Sequence, residues 1–219
     1  MIACYEFLSR NTGVEQMCRR PAPWERVVEF HGHECSGLAL GFRAAQVGLR
    51  VLAAERAGDE EMVVIAETDS CGVDAIQVLT GCTVGKGNLI LRDTGKHVYT
   101  FLLREDGSGV RVAVRYEVIG RVRDDPALFE KVRAGTVTPE EQEQFRRRQR
   151  ERITQILEAP EGELFAVRQA RGELPPQARI FRSVQCELCG EGVMEPRAHL
   201  MDGRVVCGDC FRPYPARWR

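Results

Sequence analysis

Several things are scarce in this chain, and each scarcity removes a class of function. No apolar run approaches the roughly 20 residues of a membrane helix, and the first residues lack the basic-then-apolar pattern of a secretory leader. The formal net charge is −1, so no bulk field draws the protein to nucleic acid or to an anionic bilayer. Lysine is confined to Lys86, Lys96 and Lys131, and arginine supplies the rest of the 31 basic residues. Internal repeats and low-complexity tracts are missing. The expectation is a cytoplasmic globular protein with no membrane and no nucleic-acid partner. Its 219 residues, 43% hydrophobic and 29% charged, suffice for one good-sized core and a small appendage.

Cysteine is what the chain has in quantity: nine residues. In a reducing compartment these point to metal or catalysis rather than to a disulfide scaffold. Cys4 and Cys18 have no motif around them and read as packed or incidental thiols. Cys186 and Cys189, then Cys207 and Cys210, form two Cys-x-x-Cys pairs separated by 17 residues, the spacing of a structural four-cysteine zinc site. Gly190 permits the tight turn of such a knuckle. A segment this short folds on the energy of its metal, on the order of 10 kcal/mol. From Cys186 to Arg219 five Arg balance five Asp or Glu, so a protein contact suits the ribbon better than a phosphate backbone. Phe211, Tyr214 and Trp218 are expected to pack back on it.

A second group is denser. His31-Gly32-His33-Glu34-Cys35-Ser36-Gly37 sets two imidazoles and a thiol within five residues, before an apolar-periodic segment. If that segment is a helix, its N-terminus favours a thiolate or another anion. Cys71 and Cys82 lie in two further Gly-, Asp- and Thr-rich stretches, as loops around a site do. Asp69 and Asp74 are candidate supporting groups or bases. Imidazole and thiolate together suit zinc or another borderline metal, and equally a Cys–His nucleophilic or redox pair.

Along the chain, Pro23 opens a short helix with Trp24, Val27, Val28 and His31 on one face, broken by Gly32. Leu38, Phe42, Ala45, Leu49 and Leu52 mark a second helix, with Ser36 as N-cap and its end near Gly58. Residues 62–66 read as a buried strand and 73–79 as a short helix. Strands at 89–91, 97–104 and 110–118 suggest a β-meander. Thr138, Pro139 and Glu141 make a capping box for a largely solvated helix to Leu157. Ile180-Phe181 reads as a short strand. Arg146, Arg147 and Arg148, surrounded by glutamates, form a solvated face. The run Gly81 to Asn88 has the wrong spacing for a P-loop, but Lys86 in it is a candidate for meeting an anionic group. The expected class is α+β: helices on a mainly antiparallel sheet, a helical linker and a zinc ribbon. The expected domains are a core at 1–123, a linker at 124–182 and the ribbon at 183–219.

Phe30-His31-Gly32-His33-Glu34-Cys35, continuing Gly37-Leu38-Ala39-Leu40-Gly41, resembles the signature of the FmdE family, named for formylmethanofuran dehydrogenase. So does Thr68-Asp69-Ser70-Cys71-Gly72-Val73-Asp74-Ala75-Ile76-Gln77, through Thr80-Gly81-Cys82-Thr83 to Gly85-Lys86-Gly87-Asn88-Leu89. Ser36 stands where that family usually has Pro. The resemblance implies an α+β core in an intertwined dimer, a zinc domain appended in some members, and association with molybdenum- or tungsten-pterin enzymes of one-carbon metabolism.

The reading that results is a dimeric metal-binding protein, an accessory or cofactor-handling partner of a molybdenum or tungsten oxidoreductase. Its candidate reactive residues are Cys35, His33, Cys71, Asp74 and Lys86. Its candidate core metal ligands, for a second metal besides the ribbon's zinc, are His31, His33, Cys35 and Cys71, with Cys82 in support. The alternative is a zinc-ribbon adaptor or regulator without catalysis. A substrate-sized pocket over the cluster marks an enzyme; a dimer whose geometry follows metal marks a sensor.

Overall fold

The computed structural model describes residues 23–121, 125–172 and 174–215. Cys4, Cys18 and Trp218 lie outside them. Two units are present, residues 1–177 and 178–219.

In the first unit, Trp24 and Val27 anchor α1 (Pro23–His31), and Gly32 ends it at φ +88. Helix α2 (Ser36–Val51) follows. Its cap is Cys35, not the expected Ser36: the Cys35 Sγ accepts the Leu38 N–H at 3.3 Å. The helix stops at Leu52, short of the expected Gly58, where Ala53 turns to φ +50. Strand β1 (Met62–Ala66) leads to α3 (Gly72–Thr80). Strands β2 (Leu89–Leu91), β3 (Val98–Leu103) and β4 (Ser108–Val114) come next. Residues 116–118 turn into α4 (Tyr116–Arg121) instead of extending the strand.

The expected meander is only half right. β3 and β4 form a hairpin, but β2 lies on the far side of β1, parallel to it, in a five-stranded sheet of order β2-β1-β3-β4-β5. The remaining pairs are antiparallel. Met62, Val64, Ala66, Phe101 and Val112 point from one face of the sheet into the core against α2, while Val27, Leu38, Phe42 and Ala75 form a second cluster between the helices.

The linker expected at 124–182 is not a connector. After α5 (Pro126–Ala134), α6 (Pro139–Glu158) starts from the expected capping box and buries Ile153 and Ile156 against the core. Arg43 on α2 donates to the carbonyls of Leu157 and, at 2.9 Å, Ala159, meeting the carbonyls that every helix leaves unpaired at its C-terminus. One turn, α7 (Glu161–Leu164), then leads to β5 (Phe165–Arg171), the outer strand paired with β4 over its whole length. The division between units therefore falls after Gln177, and residues 125–172 complete the core. No helix of the described residues is long and apolar enough to cross a membrane.

The second unit consists of two small hairpins. Strands β6 (Ser183–Gln185) and β7 (Gly192–Met194) make one, and β8 (His199–Met201) and β9 (Arg204–Val206) the other. Ile180 and Phe181, expected in a strand, precede β6 and are exposed. Phe211 packs back as expected, stacked on His199 with ring centroids 4.3 Å apart.

Candidate metal centre

Three helix ends meet at the core cluster. His31 is the last residue of α1, Cys35 caps α2, and Cys71 precedes the first turn of α3. Nδ1 or Nε2 of His31 and the Sγ atoms of Cys35 and Cys71 all lie within 4.8 Å of one another. The convergence has a specific cause. A Cβ on Gly41 would sit 2.3 Å from the Gly72 carbonyl oxygen, so α2 and α3 touch backbone to backbone where neither carries a side chain. That close approach brings Cys71 beside Gly37 and the Cys35 thiol.

Asp74, one turn into α3, lies 2.7 Å from His31 Nδ1. With the carboxylate accepting the Nδ1 proton, Nε2 faces the Cys35 Sγ at 4.0 Å with its lone pair free. Gln77 Nε2 reaches the other Asp74 oxygen at 3.5 Å. The thiol of Cys35 is pushed up by burial, which outweighs the Leu38 N–H, and the neighbouring Cys71 sulfur raises it further. The helix N-terminus alone therefore does not make the thiolate that the sequence suggests. One imidazole and two thiols around a common point are a donor set that fits a borderline cation, and such a cation offsets the cost of ionising half-buried sulfur.

Other expected members lie elsewhere. His33 is exposed, its ring 4.5 Å from that of His31, and it is outside the group of three. Cys82 is fully buried with its Sγ 3.4 Å from the Met62 carbonyl, and burial pushes its thiol up. Lys86 donates to the Asp59 carbonyl at 3.0 Å, before β1, whereas Cys71 follows it. The glycine-rich loop is organised by buried Asn88, whose side chain bonds the Asp59 and Met62 carbonyls and accepts the Thr83 N–H. Three more of its amides are already taken: those of Gly87, Lys86 and Val84 go to Val84 O, Thr83 Oγ1 and Gln77 Oε1. Asp69 is exposed.

Sequence reasoning missed a layer beneath Cys71. The Tyr99 hydroxyl bonds Ser70 and is so close to Gly72 that a Cβ there would meet it at 2.3 Å; burial holds its ionisation well above the usual phenol range. Ser70 Oγ is also 3.3 Å from His97 Nδ1, and burial lowers the His97 pKa. Ser70 stands within the quoted motif, but Tyr99 and His97 are ordinary strand and loop positions with no motif to mark them.

In the second unit the sulfurs of Cys186, Cys189, Cys207 and Cys210 lie within 4.8 Å of one another. Gly190 takes φ +80 in the first knuckle, and the Asp202-Gly203 turn joins β8 to β9. Backbone N–H groups of Cys189 and Cys207 pull the Cys186 thiol down to about 6, while the crowded sulfurs push Cys210 up to about 12. Four cysteine sulfurs this close together are a donor set that fits zinc.

Comparison with known proteins gives two matched regions. The family described as "FmdE, Molybdenum formylmethanofuran dehydrogenase operon" matches residues 30–166. The "Prokaryotic dksA/traR C4-type zinc finger" matches residues 179–216. A "Probable S-adenosyl-L-methionine-binding protein" of Archaeoglobus fulgidus is 36% identical over 200 residues, 87% of this chain and 53% of the relative. The chain thus spans about half the length of that curated relative. The crystal structure of a tungsten formylmethanofuran dehydrogenase FmdE-like protein from Syntrophus aciditrophicus superimposes with TM-score 0.57 at 23% identity, covering 85% of this chain and 88% of that one. At that identity the likeness speaks for the fold.

Proposed function

The chain belongs to the FmdE family, and from that membership and the core cluster we propose that it is a metal-binding accessory protein of a molybdenum or tungsten oxidoreductase. His31, Cys35 and Cys71 would hold the core metal, and the ribbon's four cysteines a structural zinc. Three protein donors leave a coordination position for exchange, as delivery or cofactor handling requires. A bound cation supplies Lewis acidity and charge there. The protein's own part is to fix the ligands: Asp74 orients His31, the Leu38 N–H orients Cys35, and the Gly41–Gly72 contact sets the separation. The reading includes a homodimer, which the family resemblance implies, placed in the cytoplasm. The convergence of His31, Cys35 and Cys71 is the observation that carries it.

Metal content of the full-length protein tests it. The native chain is expected to hold two ions; Cys35→Ala and Cys71→Ala each lose one and keep the zinc, and Cys207→Ala loses the other. One ion per chain, removed only by the ribbon variant, overturns the reading. Affinity capture of the molybdenum or tungsten enzyme by the native chain, and its loss with Cys35→Ala, tests the partnership. S-adenosyl-L-methionine, the ligand in the relative's name, belongs in the same set of titrations.

The adaptor alternative draws on a separate observation. The ribbon is a unit of its own with Leu200 and Leu188 exposed on it, which suits contact with another protein. It predicts capture of the partner through residues 178–219 with the core variants indifferent.

A further inference from the structure

The core sheet has a second face, away from α2 and the cysteines. Strand register places Ile90, Ile65, Thr100, Arg111 and Arg168 in one row across it, from β2 to β5. After β5 the chain returns over this face. Gly172 comes down on Leu102, where an added Cβ would lie 3.4 Å from Cδ1, and Leu174, Pro175 and Pro176 build a wall. Arg104 fastens the wall: its Nη1 donates to the Pro175 carbonyl at 2.7 Å while its Nε donates to the Glu60 carbonyl at 2.8 Å. Between wall and sheet lies a cleft of about 580 Å³. Small-molecule sites span roughly 300–1,000 Å³, so this one has the volume for a ligand of mononucleotide size.

The lining is divided by chemistry. Ile65, Ile90 and the Leu174-Pro175 wall are apolar, whereas Arg92 and Arg111 bring two guanidinium groups, with Arg168 beside Arg111 in the same row. Among the described residues Glu67 is the one carboxylate on the lining, and it is already engaged. It accepts from Arg111 Nη2 at 3.0 Å and from Thr94 Oγ1 at 3.3 Å, and Lys96 Nζ stands 3.9 Å away. Arg92 and Arg168 have no ion pair among the described residues, and Arg171, on the opposite face of β5, acts on Asp106 at the turn between β3 and β4. Arg111 and Arg168 face each other directly across β4 and β5. Like charges so placed repel, and Glu67 offsets the Arg111 charge while that of Arg168 is left for a further anion. Guanidinium forks match carboxylate and phosphate oxygens and also stack on flat rings.

We propose that this cleft binds a small organic anion, a phosphate or carboxylate carried on an apolar or planar body. The anionic group meets Arg92, Arg111 and Arg168, and the body rests on Ile65, Ile90 and the proline wall. The site is on the opposite face of the sheet from the metal centre and goes beyond the function proposed above.

Titration of the full-length protein with 1-anilinonaphthalene-8-sulfonate, an aromatic anion whose fluorescence rises in such sites, tests it. The expected result is one probe per chain, with affinity at least tenfold weaker in the double variant Arg92→Gln/Arg168→Gln. Both side chains are exposed, so folding is not at stake. Arg147→Gln, a charge control on α6, and Cys35→Ala are expected to bind as the native chain does, which separates this proposal from the metal reading. Displacement by AMP but not by inorganic phosphate assigns the phosphate class, and displacement by benzoate the carboxylate class. Probe binding that is absent, or unchanged in the double variant, overturns the proposal. So does a dimer that the double variant dissociates, because the face would then belong to a second copy.

Discussion

The protein has two sulfur centres, and they are made in opposite ways. In the ribbon, each pair of cysteines is held by its own knuckle, and two short hairpins bring the pairs together inside a unit of about 40 residues. In the core, His31, Cys35 and Cys71 sit on three helix ends and meet because α2 and α3 cross where both lack a side chain. Among the described residues the ribbon buries only Cys186 and Val206 as apolar interior, so a fold this small is expected to depend on a metal ion. The core owes its fold to a sheet and helices that would persist with the cluster empty. One centre is a condition of structure and the other a passenger on it.

That contrast is open to attack at several points. The largest effect is expected from stripping the ribbon with a chelator. Zinc contributes on the order of 10 kcal/mol to folds of this kind, so residues 178–215 should lose dispersed amide signals in an NMR spectrum while core signals stay. If the ribbon holds its structure without metal, the comparison fails. Gly41→Ala comes next. Its methyl would press on the Gly72 backbone, which cannot yield as a side-chain tip would, so denaturant unfolding should show a loss of about 1–3 kcal/mol. The same variant should lose the core ion but keep the zinc. Asp74→Asn should leave stability nearly unchanged and weaken core metal binding roughly 10–100-fold, read by competition with a chromogenic chelator. Thr138→Ala should have the smallest effect, about 1 kcal/mol from the lost cap, with metal content at both centres unaffected.

How legible each centre was follows from the same contrast. The ribbon could be read from spacing because its geometry is local. The capping box at Thr138 and the helix at Pro23 were legible for that reason too. In the core, the motifs identified Cys35 and Cys71, but membership was decided by packing. His31 and His33 are two residues apart and look equivalent in the sequence, yet the end of α1 directs one at Cys35 and leaves the other exposed. Lys86 and Cys82 share a motif with site residues but serve the opposite end of β1. Ser36 looked like the cap because serine usually is one; the thiol before it took the role.

Strand β5 was the largest omission. Its burial is confined to Phe165 at one end, and the rest mixes small, polar and basic residues with an exposed Val167, as an outer strand can. Nothing in residues 165–171 demands a sheet; the demand comes from the unpaired edge of β4.

That late strand has a consequence for how the molecule is made. β4 ends at Val114 and β5 begins at Phe165, so the sheet waits for the whole of α5 and α6 to be synthesised before its margin closes. A nascent chain emerging from the ribosome therefore carries an open β4 through that interval, the period in which such a margin is most exposed to neighbouring chains. The zinc knuckles come after it is sealed: the first begins at Cys186, about 15 residues beyond Arg171, and the second at Cys207.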